Sequence, residues 1–300
     1  MRILGAPGAP LGGAGLHALV GRPSTSPFAL AADGAIVALA ALYAWSAYRT
    51  RLAGSDDQVC AVQPWAAASF AGGLLALYVA LGSGLVAYER TDPTVLVVQH
   101  LLLMMVAPPL LVLGRPLALA GRVRRDPGGR AHFRVPARTS AATMALVSWP
   151  LYYGLMGVFF LTPLVSASAR HSVAYHAIEA AFVAVGLLFW WGLVGVGAQA
   201  RSSYALRLGG VIVGMPIETA IGLALAFWPH PLVASTTLAS THAAGLVLWI
   251  GSMLTGGVAL GMLVAQWCIA DAREGAEVDA VLDAAAASIT PARASRPAGP

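Results

Sequence analysis

Apolar residues gather into long runs, broken by short polar or arginine-bearing stretches. The runs fall near residues 31–48, 65–87, 94–113, 140–163, 172–195, 205–228 and 241–267. Most reach the roughly 20 residues a helix needs to cross the hydrocarbon core of a bilayer. Lipid offers no partner to an open strand edge, so the runs read as helices. The pattern predicts an all-α fold: a polytopic membrane helical bundle of about seven transmembrane helices, the first run being the shortest. Residues 1–30, rich in Gly, Pro and Ala around an apolar patch at His17, lack a basic start, apolar core and cleavage site. They read as a disordered external N-terminal arm rather than a signal peptide. Residues 31–270 then form the bundle. Residues 271–300 form a cytoplasmic C-terminal tail, partly helical over Asp271–Ala287 and disordered from Pro291 onward.

Composition agrees: 58% of residues are hydrophobic and 10% charged, against roughly a quarter charged in soluble proteins. The net charge of +5 does not point to nucleic acid, because the basic residues are all arginines scattered at run ends and in loops. Those arginines give an orientation instead. The break after the third run holds Arg115, Arg122, Arg124, Arg125, Arg130, Arg134 and Arg138, which by the positive-inside rule makes it cytoplasmic. Alternation then places Arg49, Arg51, Arg201, Arg207, Arg273, Arg293 and Arg296 inside as well. Only Arg2, Arg22, Arg90 and Arg170 fall outside. The expected topology is a multi-pass protein of the cell membrane, N-terminus external and C-terminus cytoplasmic. Cys60 and Cys268 are far apart and form no CxxC, so neither a disulfide framework nor a zinc ribbon is indicated.

Polar groups inside an apolar span are costly, and their default reading is functional. The third run carries Gln99 and His100 near its external end, then Met104 and Met105, then Pro108-Pro109. His100 and Met104 share a helix face at i, i+4. His171, His176 and Glu179 open the fifth span, His230 lies in the loop after the sixth, and His242 opens the seventh. The histidines of the spans thus converge on one membrane face, with His132 in a cytoplasmic loop and His17 in the arm. Imidazole and thioether together suit copper, Cu(I) above all. The candidate metal ligands are His100, Met104, His176, Glu179 and His242, Glu179 serving as a ligand or as the group that orients a metal-bound His. Gln99, Met105, His171 and Glu218 are candidates for a supporting shell or an ion route. Histidines hydrogen-bonded between helices, and methionines packed in the core, are the structural alternative. Pro108-Pro109 breaks the helix ladder, either as a plain kink or to shape a cavity. Glu218, just after Pro216, is the most costly residue of the core and is expected to face the bundle interior.

The stretch Gln99-His100-Leu101-Leu102-Leu103-Met104-Met105-Val106-Ala107-Pro108-Pro109, continuing through Gly114-Arg115-Pro116, resembles the signature of CtaG-type cytochrome c oxidase assembly factors. His176-Ala177-Ile178-Glu179 followed by Gly186-Leu187-Leu188-Phe189-Trp190-Trp191, and Ala244-Gly245-Leu246-Val247-Leu248-Trp249, resemble two further segments of that family. The similarity runs from about Trp65 to Asp271. Four positions differ: Ala180 replaces the family's second His, Gly192 its Pro, and Ser240-Thr241 an Asp-Gln pair. The resemblance implies a non-catalytic membrane protein that helps assemble a haem–copper oxidase and handles copper at the external face. Implied partners are the lipid bilayer, cytochrome c oxidase subunits or copper chaperones, and no nucleic acid. Two other readings stay open: a copper or small-solute transporter, and a membrane haem-binding protein with two of these histidines as axial ligands. No nucleophile–base pair, phosphate loop or dinucleotide fingerprint suggests an enzyme.

Overall fold

The computed structural model describes residues 23–52, 63–123, 141–194, 204–233 and 236–294. Most of the expected N-terminal arm with His17, the greater part of the arginine-rich loop with His132, Cys60 and the last six residues lie outside them. The described residues form helices α1 (Pro27–Leu52), α2 (Pro64–Leu81), α3 (Pro93–Leu101), α4 (Ala107–Leu113), α5 (Pro116–Val123), α6 (Ala141–Leu161), α7 (Leu164–Ser168), α8 (Ser172–Val194), α9 (Tyr204–Ala226) and α10 (Leu238–Ala294). A π-helical turn, Leu102–Val106, joins α3 to α4, so that Pro93–Leu119 acts as one span. Seven helices are long and apolar enough to cross a membrane, and no strand occurs among the described residues. The chain is an all-α, multi-pass membrane bundle.

Local chemistry sets the boundaries. Pro27, Pro64, Pro93 and Pro116 each open a helix, where the missing N–H costs nothing. Between Pro93 and Leu119 the double proline has a different effect. Pro108 cannot donate to the Met104 carbonyl one turn back. That carbonyl instead accepts the Trp190 indole N–H at 2.9 Å, across the contact with α8. Gly186 permits the approach: a Cβ there would lie 2.8 Å from Pro108 Cγ and 3.1 Å from the Met104 carbonyl. The break in the third span is therefore satisfied by a neighbouring helix, as lipid demands.

Side-chain pairings give the helix directions. Ala80 meets Gln99 and Phe70 meets Gly114, so α2 runs antiparallel to the third span. Gln99 meets Glu179 and Met104 meets Trp190, so α8 runs parallel to it. In α9 and α10, Ala226 meets Gly245 and Gly222 meets Trp249, an antiparallel pair at very close range. Close approach through small residues is how helices associate when lipid removes the hydrophobic drive. The third span is the centre of the bundle and its most buried span, while α1 lies at the periphery with only 6% of its apolar window covered. Arg207 closes the end of α8, donating to the Leu193 and Val194 carbonyls at 2.6 and 2.8 Å and to Gln266 Oε1 of α10 at 2.7 Å. Beyond Gln266, α10 continues unbroken to Ala294, past the Pro291 where the sequence suggested a disordered end, and residues 271–286 are exposed.

Candidate functional site

The end of the bundle where α3 begins is built by a tight connection. Ser83 donates to the Val79 carbonyl at 2.6 Å and accepts from the Leu85 N–H, and Asp92 caps α3 by accepting from the Thr94 N–H at 2.8 Å. Between these anchors the chain turns Glu89 inward until it is 2% exposed. Gln99, fully buried two turns into the helix, is the hub. Its Nε2 lies 2.6 Å from Glu89 Oε2, 2.7 Å from Glu179 Oε1 and 3.0 Å from the Ala80 carbonyl. An amide nitrogen has two hydrogens, so the two short contacts to carboxylates take them and the carbonyl shares one. Gln99 Oε1 accepts from the Tyr175 hydroxyl at 3.2 Å.

Both ends of this chain of bonds continue outward. Glu179 Oε2 pairs with His176 Nδ1 at 2.7 Å, and Glu89 Oε1 lies 3.6 Å from Arg90 Nε. The Arg90 guanidinium covers the Tyr175 ring at 4.7 Å, and the His176 ring stacks on Phe28 of α1 at 3.5 Å. Glu89, Arg90, His176 and Phe28 wall a cleft of about 490 Å³. Two carboxylates, an amide, an imidazole and a guanidinium thus run continuously from an open cleft into the bundle. Burial pushes the Glu89 carboxyl up from its ordinary 4.5 to about 7, against the pull of the Gln99 hydrogen bond and the Arg90 charge. The folded state therefore holds this proton more tightly than the unfolded state. The contribution to stability is full below about 4.5 and is lost as pH rises through about 7. Thermal denaturation in detergent should show wild type losing stability across that window, by at most about 1.4 kcal/mol per pH unit. Glu89→Gln should flatten the curve, and parallel profiles for the two proteins would refute the assignment.

The other candidates fall in separate places. His100 Nδ1 lies 2.7 Å from the Leu96 carbonyl, which can only accept, so Nδ1 carries the hydrogen and Nε2 the lone pair. That Nε2 is buried with no hydrogen-bond partner, and the ring packs among Phe159, Phe160 and Phe182 at 4.6, 5.5 and 4.6 Å. Met104 is buried, and Met105 Sδ takes a contact from Thr255 Oγ1 at 3.4 Å. His242 Nε2 donates to the Trp228 carbonyl at 3.0 Å, and His171 is exposed. Glu218 faces the interior, beside a small cavity it shares with Tyr152, Tyr153 and Trp190. Gln99, His176 and Glu179 are brought together; His100, Met105, His242 and Glu218 each keep different company. Among the described residues, no group of three or more His, Cys, Asp or Glu side chains is placed to hold a metal ion. His100 still presents the tautomer of a metal ligand, its other nitrogen tied to a backbone carbonyl.

From the sequence Gln99 has only a supporting part, Arg90 bears only on orientation, and Glu89 and Tyr175 carry no role. One signal was present: a Gln and a Glu inside spans require partners, and Glu89-Arg90 is the acid–base pair nearest to Gln99 in sequence.

Uncharacterized protein Mb0105 of Mycobacterium bovis and Uncharacterized protein MT0111 of Mycobacterium tuberculosis are each 29% identical over 231 residues, 69% of this chain and 34% of theirs. Uncharacterized protein ML1998 of Mycobacterium leprae is 27% identical over 248 residues, 75% of this chain and 37% of its own. The chain thus spans about a third of the length of the curated relatives it matches. No solved structure matches it. A family model described as cytochrome c oxidase caa3 assembly factor (Caa3_CtaG) matches residues 41–269, from the second half of α1 to within α10. The chain belongs to the cytochrome c oxidase caa3 assembly factor family.

Proposed function

We propose that this protein is a non-enzymatic assembly factor of the cell membrane that prepares a haem–copper cytochrome c oxidase, with copper as its cargo. Family membership supports the assembly role. The observation that carries the copper reading is His100: an imidazole whose Nδ1–H is committed to the Leu96 carbonyl, leaving a buried Nε2 lone pair without a partner. His176, set against Glu179 at the open cleft, is the entry position. His100 and Met104 lie further along, Met105 on the same span faces Thr255 of α10, and His242 contributes from the start of α10. Cu(I) tolerates soft donors and low coordination numbers, so successive contacts with few ligands suit a cargo better than a closed site. The arginine distribution supports an external cleft and N-terminus, with the C-terminus in the cytoplasm. Oxidase subunits or a copper chaperone are the partners this role requires.

The test is complementation. In a strain lacking the gene, wild type, His100→Ala and His176→Ala are expressed to equal membrane levels, and the oxidase is purified for copper and haem analysis. The expected result is an oxidase depleted in copper with either variant while its haem content is retained. Full copper with both variants would remove the ligand assignment. Full oxidase activity in the empty strain would remove the assembly role.

A further inference from the structure

At the opposite end of the third span from Glu89 lies a second cleft, of about 250 Å³, that plays no part in the cluster around Gln99. Leu111, Val112, Pro116, Leu117, Leu187 and Trp191 wall it with almost no polar surface, and the exposed Arg115 is its one charged lining residue. Arg115 is also the one non-glycine residue with positive φ among the described residues, at 53°. L side chains avoid that conformation, and strain of this kind gathers at ligand clamps and other functional positions. Here it is fixed by structure on both sides: the Arg115 N–H donates to the Val112 carbonyl at 3.0 Å, and its own carbonyl accepts from the Leu119 N–H at 3.2 Å. The guanidinium is steadied over the Trp65 ring at 5.5 Å and stays exposed. An apolar slot near a span end, with an exposed cation held beside it, has the polarity of an amphiphile.

We propose that this cleft binds one anionic phospholipid, its acyl chain lying against Leu111, Leu187 and Trp191 and its phosphate on Arg115. Charge complementarity selects the anionic headgroup, and the slot distinguishes a lipid from free phosphate.

The experiment uses the full-length protein, purified and delipidated in detergent. It is titrated with phosphatidylglycerol or phosphatidylcholine in mixed micelles and read by native mass spectrometry and thermal unfolding. Wild type should half-saturate with phosphatidylglycerol at about fivefold lower lipid than with phosphatidylcholine, the scale of one arginine at an anionic surface. Arg115→Gly removes the cation and the backbone strain together, so it should fold at least as well and lose the preference. Ala118→Trp, which fills the slot from an exposed position, should weaken retention of both lipids with the charge intact. Equal retention of the two lipids by wild type, an undiminished preference in Arg115→Gly, or unchanged retention in Ala118→Trp would each overturn the proposal. So would inorganic phosphate protecting against heat as well as phosphatidylglycerol does.

Discussion

Gln99→Leu is expected to destabilise the bundle by roughly 3–5 kcal/mol, enough to remove most of the folded protein from a detergent extract. An interhelical hydrogen bond in a membrane averages only about 0.6 kcal/mol, so the bonds made by Gln99 would not reach that figure by simple addition. What raises it is the company they keep. Leucine leaves Glu89 and Glu179 buried without their shared donor, and the Tyr175 hydroxyl without its acceptor. Each carboxyl would keep one outer partner, Arg90 or His176, but lose the donor that faces the bundle interior. A buried carboxylate short of a donor costs more than the bond it lost. Adding Glu89→Gln and Glu179→Gln should therefore recover part of the loss, since a neutral amide is cheaper to leave unpaired. Unfolding curves for the single and triple variants decide the matter. A melting point for Gln99→Leu within a degree or two of wild type would show that the network is not a unit.

Gly245→Val is the second large effect, and its cause is steric alone. A Cβ at Gly245 would stand 2.6 Å from the Ala226 Cα, a backbone atom that cannot turn aside as a side chain can. Ordinary overpacking costs about 1–3 kcal/mol because neighbours shift. Here the whole of α9 must move away from α10, and the nearby contact of Gly222 with the Trp249 backbone would open with it. The expected outcome is a loss at or above the top of that range, with α9 and α10 exchanging backbone hydrogens faster than the rest of the bundle. Gly257, around which a Cβ meets nothing within 4 Å, supplies the control. Gly257→Ala should leave stability nearly unchanged, and equal effects at the two positions would refute the packing argument.

The spans were legible because hydropathy and length follow directly from the thickness of the hydrocarbon layer; all seven recur in the structure, six near the expected bounds and the last, expected over 241–267, running on to Ala286. His176 and Glu179 were legible as neighbours because i, i+3 spacing guarantees it. Gln99 was legible as costly but not as central, since its importance lies in three partners from three separate segments. Glu89 was harder still. A loop acid beside an Arg resembles any solvated pair, and only the turn between Ser83 and Asp92 carries it inside. Position along each helix can be read from the sequence, but the direction each side chain faces around its helix cannot. His100 and Gln99 are adjacent, so they project about 100° apart. One enters the polar network and the other a pocket of phenylalanines.

The unbroken course of α10 makes a long element into a lever. Gln266 is bonded to Arg207, and Ala286 stands 20 residues further on. At about 1.5 Å per residue that arm is about 30 Å long. A tilt of about 10° at the Arg207 contact would therefore carry Ala286 through about 5 Å, close to the pitch of one helical turn. A single inserted residue in the arm would instead swing every later side chain by about 100° while leaving the bundle untouched. Small rearrangements where α10 packs on α9 thus reach the far end of the tail magnified as displacement, or preserved as rotation.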